Sequence, residues 1–138
     1  MAEDLRVTRF NDGTTVTQVT QWDYSFENQI PKYYFVEGSF FYNQLVTTNA
    51  KQICPSGYRL PTYEDINPQT LPYNSINIDA YSLNYTGWLS EDGLFDYNNV
   101  GHYWFVNSNP RTYRWQDGGL NINYQQSVIG SCIRCVKE

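Results

Sequence analysis

The sequence predicts a single α+β domain in which strands and irregular loops outweigh helix. Aromatic residues make up 17% of the chain while Leu and Ala are scarce, a bias toward pleated strands. Apolar residues at Tyr42, Leu45, Val46, Ala50 and Ile53 fall at the spacing of one helical stripe. Turn formers such as Asn11-Asp12-Gly13, Ser56-Gly57 and Asp117-Gly118-Gly119 cut the remainder into short pieces. At 138 residues one core suffices, and the chain can bury roughly two-thirds of its unfolded surface without a metal.

Taken in order, residues 1–13 are polar and read as an N-terminal arm or first edge strand, followed by one domain over 14–138. Thr14 to Thr20 is rich in Thr and Val and reads as a strand. Trp22, Tyr24 and Phe26 recur at period two. Lys32 to Val36 and Ser39 to Tyr42, joined at Gly38, read as a hairpin or bend. The stripe from Tyr42 to Ile53 is the main helix, weakened by Thr47, Thr48 and Asn49 and ended by Cys54-Pro55.

The stretch from Cys54 to Asp65 is the most specified part of the chain. Pro55 and Pro61 exclude helix at the residues before them, so Tyr58 to Leu60 must run extended. Thr62 can offer its side-chain oxygen to the Asp65 amide while Asp65 reaches back, a short capping box. Pro68 then cuts the second helix to about one turn, and residues 68–86, rich in Asn, Tyr and Ser, form a long irregular connection. Tyr113 to Gln116 and Leu120 to Tyr124 read as a hairpin with Asn121 and Asn123 opposite Leu120 and Ile122.

Composition also restricts partners. Nine Lys and Arg against fourteen Asp and Glu give a net charge of -5 without basic runs, which argues against nucleic acid. No apolar stretch approaches the roughly 20 residues of a membrane span, and Met1-Ala2-Glu3-Asp4 lacks the regions of a signal peptide. The expectation is a soluble chain that either has lost a leader or reaches the outside by assembly into a particle.

Cys54-Pro-Ser-Gly-Tyr-Arg-Leu-Pro-Thr62 resembles the signature of the bacterial "major paralogous domain" family, a branch of the C-type lectin-like fold. Gly87-Trp88, Asp92-Gly93-Leu94-Phe95 and Gly101-His102-Tyr103-Trp104 resemble that family's later segments, and Ser131-Cys-Ile-Arg-Cys-Val-Lys-Glu138 its terminal strand. Phe105-Val106 stand where the family has two serines. The resemblance implies a lectin-like fold: one main helix and a short second helix packed on twisted antiparallel sheets, with long irregular loops. It also implies that Cys54 pairs with Cys135, bringing the end of the main helix to the terminal strand, or sits reduced beside it in a reducing compartment. Pro55, Gly57, Pro61, Thr62 and Trp104 are then structural. Cys132, an odd number of positions from Cys135, faces the other side as a free, buried thiol.

Little in the sequence points to catalysis. His102 stands alone beside Tyr103 and Trp104 and reads as a packed residue rather than a ligand or base. Cys132-Ile-Arg-Cys135 lies in the terminal strand instead of at a helix start, where a thiol pKa would be lowered. The pairs Glu64-Asp65 and Glu91-Asp92 are adjacent in sequence and do not make an acid/base couple. The fold's enzymatic branch, the formylglycine-generating enzymes, uses paired cysteines that this chain does not match. Its calcium-dependent sugar-binding branch uses Glu-Pro-Asn or Gln-Pro-Asp with Trp-Asn-Asp; Asn109-Pro110-Arg111 is the nearest stretch and lacks the carboxylate. No metal, cofactor or enzymatic activity is therefore expected.

The reading is a non-catalytic display or recognition module: a virion fibre or decoration protein, related through its fold to variable receptor-binding proteins, attached to other subunits by the arm and oligomeric in its assembly. The alternative is a calcium-independent carbohydrate-binding or adhesin module outside or on the surface of a bacterial cell. In either case a protein or glycan receptor meets a polar patch of Asn107, Asn109, Arg111, Asn121 and Asn123, with Tyr113 or Trp115 as aromatic anchor.

Overall fold

The computed structural model describes residues 4–23, 30–66, 84–106, 111–116, 119–124 and 129–138. Predicted features at Tyr24, Phe26, Pro68, Asn107, Asn109 and Asp117-Gly118 lie outside them. Among the described residues the architecture is a set of small mixed sheets with very little helix, α+β by class and mostly β by content. Strands β1 (Thr17–Gln18), β2 (Lys32–Val36) and β3 (Ser39–Tyr42) form one sheet, in which β1 runs parallel and β3 antiparallel to β2. Helix α1 (Gln44–Thr47) leads to β4 (Tyr58–Arg59) and the single turn α2 (Tyr63–Ile66). The hairpin β5 (Trp88–Ser90) and β6 (Gly93–Phe95) precedes the sheet β7 (Gly101–Trp104), β8 (Arg111–Gln116) and β9 (Gly119–Tyr124). The chain closes with β10 (Val136–Lys137), antiparallel to β4.

The core explains why the central strands read as unbroken aromatic runs. Phe41 and Tyr42, Tyr103 and Trp104, and Cys132 and Ile133 are consecutive pairs, and in each pair one residue enters one hydrophobic cluster and its neighbour the other. Successive side chains of an extended chain point to opposite faces. The layer built from β3, β7 and residues 131–132, tied by bridges Tyr42↔Ser131 and Tyr103↔Cys132, is therefore covered on both faces. Strands buried on both sides lose the polar alternation of a half-exposed sheet.

The C-terminal segment joins the small sheets to one another. Leu89 and Gly130 exchange backbone hydrogen bonds, as do Tyr42 and Ser131. Cys132 receives the Trp104 amide and gives its own to His102, Ile133 accepts the Leu5 amide, Arg134 pairs with Asp4, and Cys135 is bridged to Cys54. Val136 then pairs with Arg59.

Two expectations are corrected here. The main helix predicted from Tyr42 to Ile53 is one turn: Tyr42 ends β3, and only Gln44–Thr47 are helical. The side chain of Asn43, the N-cap, gives no cap because it clasps β2, accepting the Lys32 amide (3.1 Å) and donating to Ile30 O (2.7 Å). At the other end Thr47 Oγ1 donates to Gln44 O at 2.7 Å and Thr48 Oγ1 reaches the same carbonyl, so hydroxyls compete with the helical ladder. The apolar spacing of Tyr42, Val46 and Ile53 arises because a strand end, a turn and a loop each bury a residue in the same cluster.

The second correction concerns residues 1–13, expected to have little to bury. Asp4, Leu5 and Phe10 are buried, and Leu5 belongs to the larger cluster with Val16 and Tyr42. The Tyr42 hydroxyl accepts the Val7 amide (3.0 Å) and donates to Val7 O (2.9 Å). A polar-looking segment is thus a core element, with its apolar residues spaced too irregularly for a strand pattern. The predicted strand Thr14 to Thr20 contracts to β1 and an isolated Arg9↔Thr15 bridge. The two predicted hairpins and the short α2 stand where the sequence put them.

Candidate recognition surface

The β8–β9 hairpin holds the described part of the predicted patch, Arg111, Tyr113, Trp115, Asn121 and Asn123. Tyr113 pairs with Ile122 and Trp115 with Leu120, whereas Asn121 pairs with Arg114 and Asn123 with Thr112. Thr112, the partner of Asn123 in β9 and of Trp104 in β7, is fully buried, as is Trp104.

The residues predicted as structural are all tied down. Cys54 and Cys135 form a disulfide with Cα atoms 5.9 Å apart, and Cys132 is a free, buried thiol whose pKa burial pushes up. Pro55 O accepts the Tyr58 amide at 2.9 Å, closing a turn that needs Gly57 at φ +81°. Pro61 O accepts the Val106 amide (2.8 Å), and the buried Trp104 indole donates to Tyr42 O (2.7 Å). Asp65 reaches back to Thr62 as expected of the capping box, its Oδ2 accepting the Thr62 amide at 2.7 Å, but the Thr62 hydroxyl also donates to that oxygen, at 3.0 Å. Sequence reasoning missed that Arg59 forks onto the same carboxylate, with Nη2 3.0 Å from Oδ1. This Arg59 pairing, with the Thr62 bonds, holds the Asp65 carboxyl down at about 2.

Another missed feature lies between the chain's two ends. Arg134 Nε and Nη2 donate to Asp4 Oδ1 at 3.0 and 2.6 Å, and Asn84 Nδ2 donates to Asp4 Oδ2 at 3.0 Å. The Arg134 guanidinium also stands over the Tyr103 ring, 5.7 Å from its centre. Both charged residues are almost wholly buried. Their sequence separation of 130 gives no local signal.

His102 is buried in β7 and tilts against Trp88 with ring centres 6.4 Å apart. Among the described residues no cluster of His, Cys, Asp and Glu is placed to hold a metal ion, and no helix is long and apolar enough to cross a membrane.

Exposed aromatics stand on the two short hairpins. Phe35 in β2 is half exposed and meets Phe40 edge on. In β5–β6, Phe95 stacks on its cross-strand partner Trp88 at 5.0 Å and 22°, yet stays 42% exposed. Exposed Tyr97 follows, and Asp96 between them accepts the Trp88 indole N–H at 3.2 Å. The arrangement offers exposed aromatic area with a carboxylate beside it. No family model matches the chain, and neither a curated protein nor a solved structure does.

Proposed function

We propose that this chain is a non-catalytic recognition and display module with a C-type lectin-like fold, carried on a virion as a fibre or decoration protein and binding other structural subunits and a protein or glycan receptor. The observation that carries the reading is a scaffold locked by a disulfide and a buried ion pair that still holds Phe35, Phe95 and Tyr97 in solvent. Rigid aromatics give contact area at small entropy cost. The lectin-like part rests on the resemblance at Cys54 to Thr62, with Cys54 bridged to Cys135 as that resemblance implies. Mass spectrometry of purified particles from the source tests the location: stoichiometric recovery supports it, and recovery only in a secreted or cell-envelope fraction overturns it.

A second reading, a calcium-independent carbohydrate-binding module, is favoured by the stacked Trp88–Phe95 pair bordered by the Asp96 carboxylate. A glycan array probed in chelator tests it; binding that needs calcium, or no binding, counts against it.

A further inference from the structure

We infer that the outer face of Phe95, backed by Trp88 and bordered by Asp96, is a stacking platform for the ring of a neutral pyranose sugar; this deepens the carbohydrate-binding reading and rests on it. Trp88 covers one face of Phe95, so the area that remains in solvent belongs to the other face and the ring edges. An aromatic face is electron-rich and attracts the weakly positive C–H groups of a sugar ring. Sugar hydroxyls need acceptors near that face, and the Asp96 carboxylate is fixed there by the Trp88 indole N–H. A purely apolar partner would strip water from that carboxylate and leave it the Trp88 indole N–H alone, at a desolvation cost.

The backbone under the platform is set in advance. Asp96 O accepts the amides of Asn99 and Val100, both at 3.0 Å, and Asn98 N donates to Tyr85 O at 2.9 Å. Asp96 and Asn98 take φ of 56° and 63°, a region that Asp and Asn tolerate better than most residues. Residues 95–97 also lie directly over Gly87, whose position leaves no room for a side chain. Little conformational entropy remains to be lost on binding. Charge narrows the ligand: Glu91, Asp92 and Asp96 are exposed, and no Lys or Arg lies between Asn84 and Val106. Sialylated, sulfated and uronic sugars are repelled, which leaves neutral hexoses and N-acetylhexosamines.

The test uses saturation-transfer NMR and Trp fluorescence titration of the full chain with methyl glycosides of glucose, galactose, mannose and N-acetylglucosamine, and with sialic acid. At least one neutral glycoside is expected to receive saturation on its ring protons. Phe95→Leu, which keeps apolar cover on Trp88, should weaken that binding about tenfold, and Asp96→Asn should weaken it less. Val106→Ala, at an exposed apolar residue outside the platform, should leave it unchanged. Neutral-sugar binding that survives Phe95→Leu overturns the platform and leaves the carbohydrate reading standing. Tighter binding of sialic acid than of every neutral glycoside also overturns the platform. Absence of binding to all the probes, on the array and in solution, overturns both.

Discussion

Replacing Asp4 by Ala tests whether the first residues of the chain are part of its core. The Arg134 side chain is 2% and that of Asp4 6% exposed, so the substitution strands a guanidinium in the interior without its carboxylate. Breaking a buried pair from one side costs about 3–5 kcal/mol, largely the penalty of the remaining charge. Against a total of about 5–15 kcal/mol for a domain, this is a large fraction. For a chain of this length each kcal/mol is worth about 3–4 °C, so the melting temperature should fall by about 10–20 °C. Urea unfolding followed by circular dichroism gives the free energy directly. Changing both partners to apolar residues, Asp4→Leu with Arg134→Met, removes the stranded charge and should cost less than the sum of the single changes. A loss below about 1 kcal/mol for Asp4→Ala would show that the segment is not docked in solution, and the reading of residues 1–13 as a loose arm would stand again.

Reduction of the Cys54–Cys135 bridge releases a constraint spanning 81 positions, worth about 4 kcal/mol in the chain-entropy picture, and should lower the urea midpoint accordingly. Cys132 should resist thiol reagents in the folded protein and react once it is unfolded, because burial disfavours its thiolate. The Asp65 carboxyl is held at about 2 against an ordinary 3.8, so it binds its proton more weakly folded than unfolded. Its stabilisation is complete above about pH 4 and is lost as pH falls toward 2; Asp65→Asn should flatten the acid limb of the stability profile there. Gly87→Ala forces φ +69° on a residue with a side chain and drives its Cβ into the backbone of residues 95–97, so about 2 kcal/mol or more should be lost.

Legibility in the sequence followed the range of the interactions. The turn at Pro55 to Tyr58, the one-turn α2 and the hairpins depend on residues a few positions apart, and Pro, Gly and alternation report such structure directly. The helix from Tyr42 to Ile53 was misread because an apolar spacing of three and four is also produced when a strand end, a turn and a loop all bury residues against one core. What decided the outcome was the Asn43 clasp on β2 and the Thr47 hydroxyl, polar contacts that hydrophobic periodicity does not weigh. Polarity singles out Asn121 and Asn123 in the sequence, whereas their cross-strand partners, Arg114 and Thr112, emerge only from the register of β8 and β9.

The N-terminal segment was hidden by the way the fold is joined. Among the described residues the sheets have two or three strands each, and small sheets are marginal alone. They are held by residues 130–136, which contact in turn Leu89, Tyr42, the β7 backbone, Leu5, Asp4, Cys54 and Arg59. These partners come from the β2–β3 and β5–β6 hairpins, β4, β7 and the N-terminal segment, so none of those pieces can complete its packing until residues 130–136 are in place. Contacts of such separation carry a large closure entropy before they return any stability. Folding should therefore be slow and cooperative, with the Asp4–Arg134 pair forming together with the core. Removing residues 130–138 should leave no folded hairpin domain behind, and a truncated chain that keeps a cooperative melt would show that the sheets are independent after all.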